Sequence, residues 1–150
     1  MSELTAKQIE PELTEGVSIF GYDLIREVLL HDLLGPDGPE ILYWAGKRLA
    51  RKYPLESVSD IISFFQKASW GRLSIVKETK DELTFELSGS IIEKRMKDHA
   101  HFHCKLEAGF IAQQIESQKG FVCEAFEHPR KRSLTATFTV KWDPKDTAWL

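Results

Sequence analysis

Two cysteines in 150 residues cannot make a disulfide framework, so a small stapled secreted scaffold is excluded. No uncharged apolar run approaches the roughly 20 residues that a bilayer-crossing helix requires. The first 16 residues, MSELTAKQIEPELTEG, lack an apolar centre, so neither a signal peptide nor a transit peptide is expected. Basic charge is not in excess either. The formal charge is −3, whereas a dedicated nucleic-acid binder concentrates Lys and Arg to neutralise phosphates. The one basic knot, His128-Pro129-Arg130-Lys131-Arg132, reads as a solvated turn. Internal repeats and a second domain are absent as well. The expectation is a reduced, cytoplasmic protein with no membrane span and no nucleic-acid partner: a flexible arm over 1–16, then one domain over 17–150.

What is present suffices for a core. Hydrophobic residues make up 42% of the chain and charged residues 29%, which excludes wholesale disorder. Ser18 precedes Phe20, Leu24, Ile25, Val28, Leu29 and Leu33, a spacing that lays one apolar stripe along a helix. Gly35-Pro36-Asp37-Gly38-Pro39 ends that helix, and Pro39 suits the first turn of the next. The second helix carries Ile41, Leu42, Ala45 and Leu49. Gly46 lies inside it at a cost of about 1 kcal/mol relative to alanine, which close approach of another backbone would offset. Ser57-Val58-Ser59-Asp60 has capping-box spacing and opens a third helix, with Ile61, Ile62, Phe64, Phe65 and Ala68 on its buried face.

The period then changes to two. Leu73 and Ile75, then Leu83, Phe85 and Leu87, alternate with polar neighbours around a Lys80-Asp81 turn. Residues 89–98 are ambiguous between exposed turn and short helix. A long helix is expected over about 101–118, then strands near 121–126 and 133–142; Leu134, Ala136, Phe138, Val140 and Trp142 alternate strictly with polar residues. The order αααββαββ predicts an α+β fold, with helices packed on one side of a four-stranded antiparallel sheet.

The stretch DHAHFHCKLEAGF, residues 98–110, holds His99, His101, His103 and Cys104. On a helix, at about 100° per residue, His99 and His103 share a face and His101 points away; on a strand the three share a face and Cys104 turns aside. Neither geometry gathers them around one ion. A zinc site from His103, Cys104, Cys123 and His128 is the alternative, although adjacent ligands at 103–104 depart from the usual pair spacing. The favoured reading is a polar helix entry. Cys104 as nucleophile lacks an orienting group, and its stripe with Ala108, Ile111 and Ile115 makes it a structural thiol. Phe102, Leu106 and Phe110 form a second apolar stripe, so the helix should lie between layers, where Glu107 would pair with a buried Arg or Lys.

Several stretches resemble one family. Ile41–Ala50, with a glycine before a basic residue, is similar to the early helix motif of the 4-vinyl reductase domain. Trp70-Gly71-Arg72-Leu73 resembles its helix-to-strand junction, Cys104–Ala112 its cysteine-then-Ala-Gly-Phe helix, and Glu124 its acidic strand residue. LEAGFIAQQI in 106–115 looks like the signature of the YslB-like bacterial proteins of unknown function. The resemblance covers about 40–142. It implies the fold of the TRAPP small subunits and, more distantly, of the nitric-oxide-sensing haem domain: α+β, with a hydrophobic cavity and often dimerisation. Glu127 and Ala136 or Thr137 stand where the 4-vinyl reductase-like domains carry further cysteines, which argues against a cysteine-rich metal centre.

The resulting expectation is a non-enzymatic module binding a small apolar ligand, acyl- or lipid-like, or a protein partner, a second copy included. Phe64, Phe65, Trp70, Cys104, Ala108, Phe110 and Ile111 are its candidate ligand-binding residues; no catalytic residue and no cofactor are assigned. The competing expectation is a zinc- or iron-dependent sensor or enzyme built on 99–104.

Overall fold

A computed structural model describes residues 16–148; the arm expected over 1–16 lies outside the described residues except for Gly16. The described residues open with α1 (Ile19–Asp23), capped by the Ser18 hydroxyl, which accepts the Gly21 N–H at 3.0 Å. It passes through a π-helical turn (Leu24–Leu29) into α2 (Leu30–Leu34), and these three pieces form one continuous first helix. After a 3₁₀ turn (Gly35–Asp37) come α3 (Gly38–Lys52) and α4 (Val58–Lys67). The Ser57 hydroxyl caps α4 by accepting the Asp60 N–H at 3.1 Å. Strands β1 (Arg72–Glu78) and β2 (Glu82–Ser88) lead to α5 (Ser90–Asp98) and α6 (Lys105–Lys119), then β3 (Phe121–Glu127) and β4 (Ala136–Thr147).

The four strands form one antiparallel sheet in the order β1-β2-β4-β3, with Phe85 opposite Phe138 and Thr84 opposite Thr139. Alternation aims Leu83, Phe85, Leu87, Phe138 and Val140 at the core. The α+β architecture, with helices on one side of a four-stranded antiparallel sheet, is the expected one. Two details differ from the sequence reading. The ambiguous 89–98 stretch is helix α5, its Ile91, Ile92, Arg95 and Met96 all turned inward. The helix expected from about 101 begins at Lys105, so His99, His101 and His103 precede it in a non-helical connection.

Helix α6 is the pillar of the fold. Residues 107–115 are buried without interruption, as a helix enclosed between layers requires. It packs on β3 on one side and crosses α3 on the other. A Cβ added to Gly46 would lie 2.1 Å from the Leu106 carbonyl oxygen, and one added to Gly109 would lie 1.9 Å from that of Tyr43. The two glycines face reciprocal backbones, which is the offsetting gain that a glycine inside a helix demands.

The first helix is inverted relative to its apolar stripe. Phe20, Leu24, Ile25, Val28, Leu29 and Leu33 point outward, while Asp23, Arg26 and Glu27 are buried. A stripe of that width ordinarily faces the core. Here the inward positions, spaced i, i+3 and i+4, are charged.

Candidate functional site

Charged side chains can turn inward only where counter-charges await them, because an unpaired buried ion is costly. Helix α6 presents Glu107 and helix α5 presents Arg95, both fully buried. Arg26 grips the Glu107 carboxylate with two N–H groups, Nη1 to Oε2 at 2.9 Å and Nη2 to Oε1 at 2.7 Å. Arg95 donates from Nε to Glu27 at 2.6 Å, from Nη1 to Glu107 at 3.2 Å and from Nη2 to the His103 carbonyl at 2.8 Å. Burial alone would raise the Glu107 carboxyl, but Arg26 and Arg95 outweigh it and hold it at about 2. The expected buried partner of Glu107 is thus two arginines, which fix the first helix to α5 and α6.

The histidines extend this network. His99 Nε2 lies 2.8 Å from Asp23 Oδ2, and His101 Nε2 lies 3.0 Å from the Glu27 carbonyl and 3.4 Å from its carboxylate. His101 also stacks on His31, ring centroids 3.7 Å apart. Asp23 Oδ1 is buried with no hydrogen-bond partner among the described residues. His103 accepts the Lys105 N–H on Nδ1 at 3.2 Å; burial, then Arg26, holds its imidazole down at about 4, hence neutral at pH 7.

The alternative metal donors are not brought together. The Cys104 backbone N–H is taken by both Glu127 oxygens at 2.9 Å, and its thiol is pushed well up by burial. Cys123 Sγ lies 3.2 Å from the Phe121 carbonyl, and His128 Nε2 lies 2.7 Å from the Thr139 hydroxyl. Among the described residues, no group of three or more His, Cys, Asp or Glu side chains is placed to hold a metal ion.

The candidate ligand-binding residues do converge. Phe110 stacks on Phe64 with centroids 4.7 Å apart and meets Phe65 and Trp70 edge-on. Cys104, Ala108 and Ile111 are buried in the same core. Of the seven, Trp70 also borders an open groove of about 870 Å³ between the first helix and the end of α4, with Tyr22, Ile25, Leu30 and Leu106 among its other walls.

Three residues from the stretches behind the family resemblance, Tyr43, Lys47 and Glu124, meet on β3. Lys47, the basic residue after Gly46, lies 3.2 Å from Glu124 on β3, and Tyr43 hydrogen-bonds the same carboxylate. The Tyr43 hydroxyl also accepts the Ala125 N–H at 3.1 Å. Sequence reasoning missed Asp23, Arg26, Glu27 and Arg95. The signal available was the i, i+3, i+4 spacing of three charges on a helix that precedes a buried acid.

Comparison with known proteins bears on the family and the fold. The family described as "Protein of unknown function (DUF2507)" matches residues 19–141. The chain is 47% identical over 130 residues to the uncharacterized protein YslB of Bacillus subtilis, covering 87% of this chain and 88% of that one. It is 24% identical over 116 residues to the uncharacterized protein MJ1642 of Methanocaldococcus jannaschii, covering 77% and 71%. A crystal structure of a vinyl-4-reductase family protein from Methanocaldococcus jannaschii superimposes with a TM-score of 0.64 at 14% identity, over 91% of this chain and 87% of that one. At that identity the likeness is one of fold.

Proposed function

Because the chain belongs to the DUF2507 family, whose description assigns no activity, we infer its role from its own surface. We propose a non-enzymatic, cytoplasmic interaction module whose working surface is the outward face of the first helix. The observation that carries this reading is the inversion of that helix. Phe20 is 64% exposed, Ile25 58% and Leu33 77%, while the charges beside them are buried. A contiguous exposed apolar patch of several hundred Å² on a globular domain marks an interaction site. The buried ion pairs support the same reading, since they hold the helix in an orientation that its hydrophobicity opposes.

The test is site-specific photo-crosslinking in the cells that make the protein, with benzoylphenylalanine at Leu33 and, as reference, at exposed Lys52 on α3. A discrete protein adduct is expected at Leu33, absent at Lys52, and lost when Ile25→Glu and Leu29→Glu are added. No adduct from Leu33, Phe20 or Ile25 overturns the reading.

The groove beside Trp70 favours a second reading, a small apolar or acyl-like ligand, because its size matches ordinary ligand sites of about 300–1,000 Å³. Of the residues assigned to such a ligand, Trp70 would touch it directly and Phe110 would support Trp70 from beneath. Quenching or a spectral shift of tryptophan emission on titration with a medium-chain fatty acid, abolished by Leu106→Glu, is the expected result; an unchanged spectrum removes it.

A further inference from the structure

We infer that the outward face of the first helix is closed by a second copy of this chain, the two helices running antiparallel about a two-fold axis between Ile25 and Val28. This rests on the docking face proposed above and names its occupant. Three features of the helix carry it.

The first is self-complementarity. A two-fold interface sets each surface against itself, so any charge near the axis meets its own like charge. Here Asp23, Arg26 and Glu27 are turned inward, and the central outward positions are Leu24, Ile25, Val28 and Leu29. Antiparallel pairing about that axis brings Leu24 opposite Leu29 and Phe20 opposite Leu33 of the second copy. It also places exposed Asp32 opposite Gly21, in the first turn of the second copy's helix, where a negative charge is favoured.

The second is area. The exposed fractions of Phe20, Leu24, Ile25, Val28, Leu29 and Leu33 amount to roughly 600 Å² of apolar surface, and Val17 and Ile19 bring it to about 800 Å². Two such faces approach the total of about 1,600 Å² that stable protein interfaces bury.

The third concerns other occupants. The exposed charged side chains at this end of the helix are Asp32, in its last turn, and Asp37 and Glu40 just past it, all acidic, whereas membrane-surface helices carry a basic border that meets anionic lipid. Of the six outward residues, Ile25 borders the groove beside Trp70, and the rest of the face is one side of a helical rod, which cannot envelop a small molecule as a concave site does.

Sedimentation of the purified full chain should give twice the 17.2 kDa chain mass. Ile25→Glu with Leu29→Glu should return it to 17.2 kDa with an unchanged circular dichroism spectrum, because both side chains are about half exposed. Register is tested by disulfides. Mixed Phe20→Cys and Leu33→Cys chains should form the heterodisulfide on oxidation, and neither chain alone should link to itself. A monomer at 100 µM (about a hundred-thousand-fold above a nanomolar dissociation constant), a dimer that survives the glutamates, or Leu33→Cys linking to itself each overturns the inference. A purified monomer whose Leu33 probe captures a different protein in cells defeats the second copy and leaves the docking face standing. A monomer with no adduct defeats both.

Discussion

Glutamine at position 107 would leave the buried Arg26 guanidinium with no counter-charge and Arg95 with Glu27 alone. Removing one partner of a buried pair costs about 3–5 kcal/mol, so Glu107→Gln should lower the thermal midpoint markedly; a melt within a degree of the parent would disprove the pairing. The same carboxyl sets an acid limit. Its folded value of about 2 lies below its ordinary 4.5, so its contribution is complete above pH 4.5 and disappears as pH falls towards 2. Glu107→Gln should therefore flatten the stability profile across that window, measured by urea unfolding. His103 acts at milder acidity. Held at about 4 against an ordinary 6.5, it resists the proton that the unfolded chain accepts, and stability falls as pH drops from 6.5 to 4. His103→Asn keeps an acceptor for the Lys105 N–H and should remove that slope. Packing makes an equally sharp forecast. Gly46→Ala and Gly109→Ala push a methyl into a facing carbonyl and should each cost about 1–3 kcal/mol or more, whereas Gly16→Ala meets nothing within 4 Å and should be silent.

At the scale of elements, the first helix exposes the limit of pattern reading. Its apolar residues and its charged residues each form a coherent face, and amphipathicity alone assigns the apolar one to the core. What decides the outcome is a pairing across about 80 positions of sequence, Arg26 with Glu107, which no local window contains. Arg26→Ala should consequently destabilise the domain by several kcal/mol, while Leu29→Glu three positions later should leave the melting temperature of the monomer within about 1 °C. The reverse ranking would mean that the helix docks by its apolar side. Other elements were legible because their signals are local: the Ser57 cap, the Gly–Pro break at 35–39 and the strict alternation of β4. The start of α6 was not. The Glu127 carboxylate takes the Cys104 N–H and helps to fix the chain just before Lys105, and that contact comes from a strand 23 residues downstream.

For the whole molecule, the fold class followed from counting elements and their periods, since an antiparallel sheet with three or more amphipathic helices has few economical layer arrangements. The interior role of α6 was equally readable from its two apolar stripes. The candidate site was less so: the histidines draw the eye, yet they only decorate a charge network whose principal members lie on three separate helices. The sheet edge completes the picture. Along β3, Tyr43 and Glu116 side chains accept the Ala125 and Cys123 N–H groups, at 3.1 and 3.0 Å, so this border offers little template for another strand. Tyr43→Phe should unseat that seal and raise the aggregation rate of the folded protein, measured by light scattering, with little change in its circular dichroism.

The two thiols have a practical consequence. Both are fully enclosed, Cys104 beside the arginine pair and Cys123 at the far end of α6, and burial pushes the latter up to about 12. Neither can meet an alkylating reagent until the chain around it opens. Iodoacetamide uptake followed by intact mass would then act as a pair of clocks, timing how often each end of the molecule breathes.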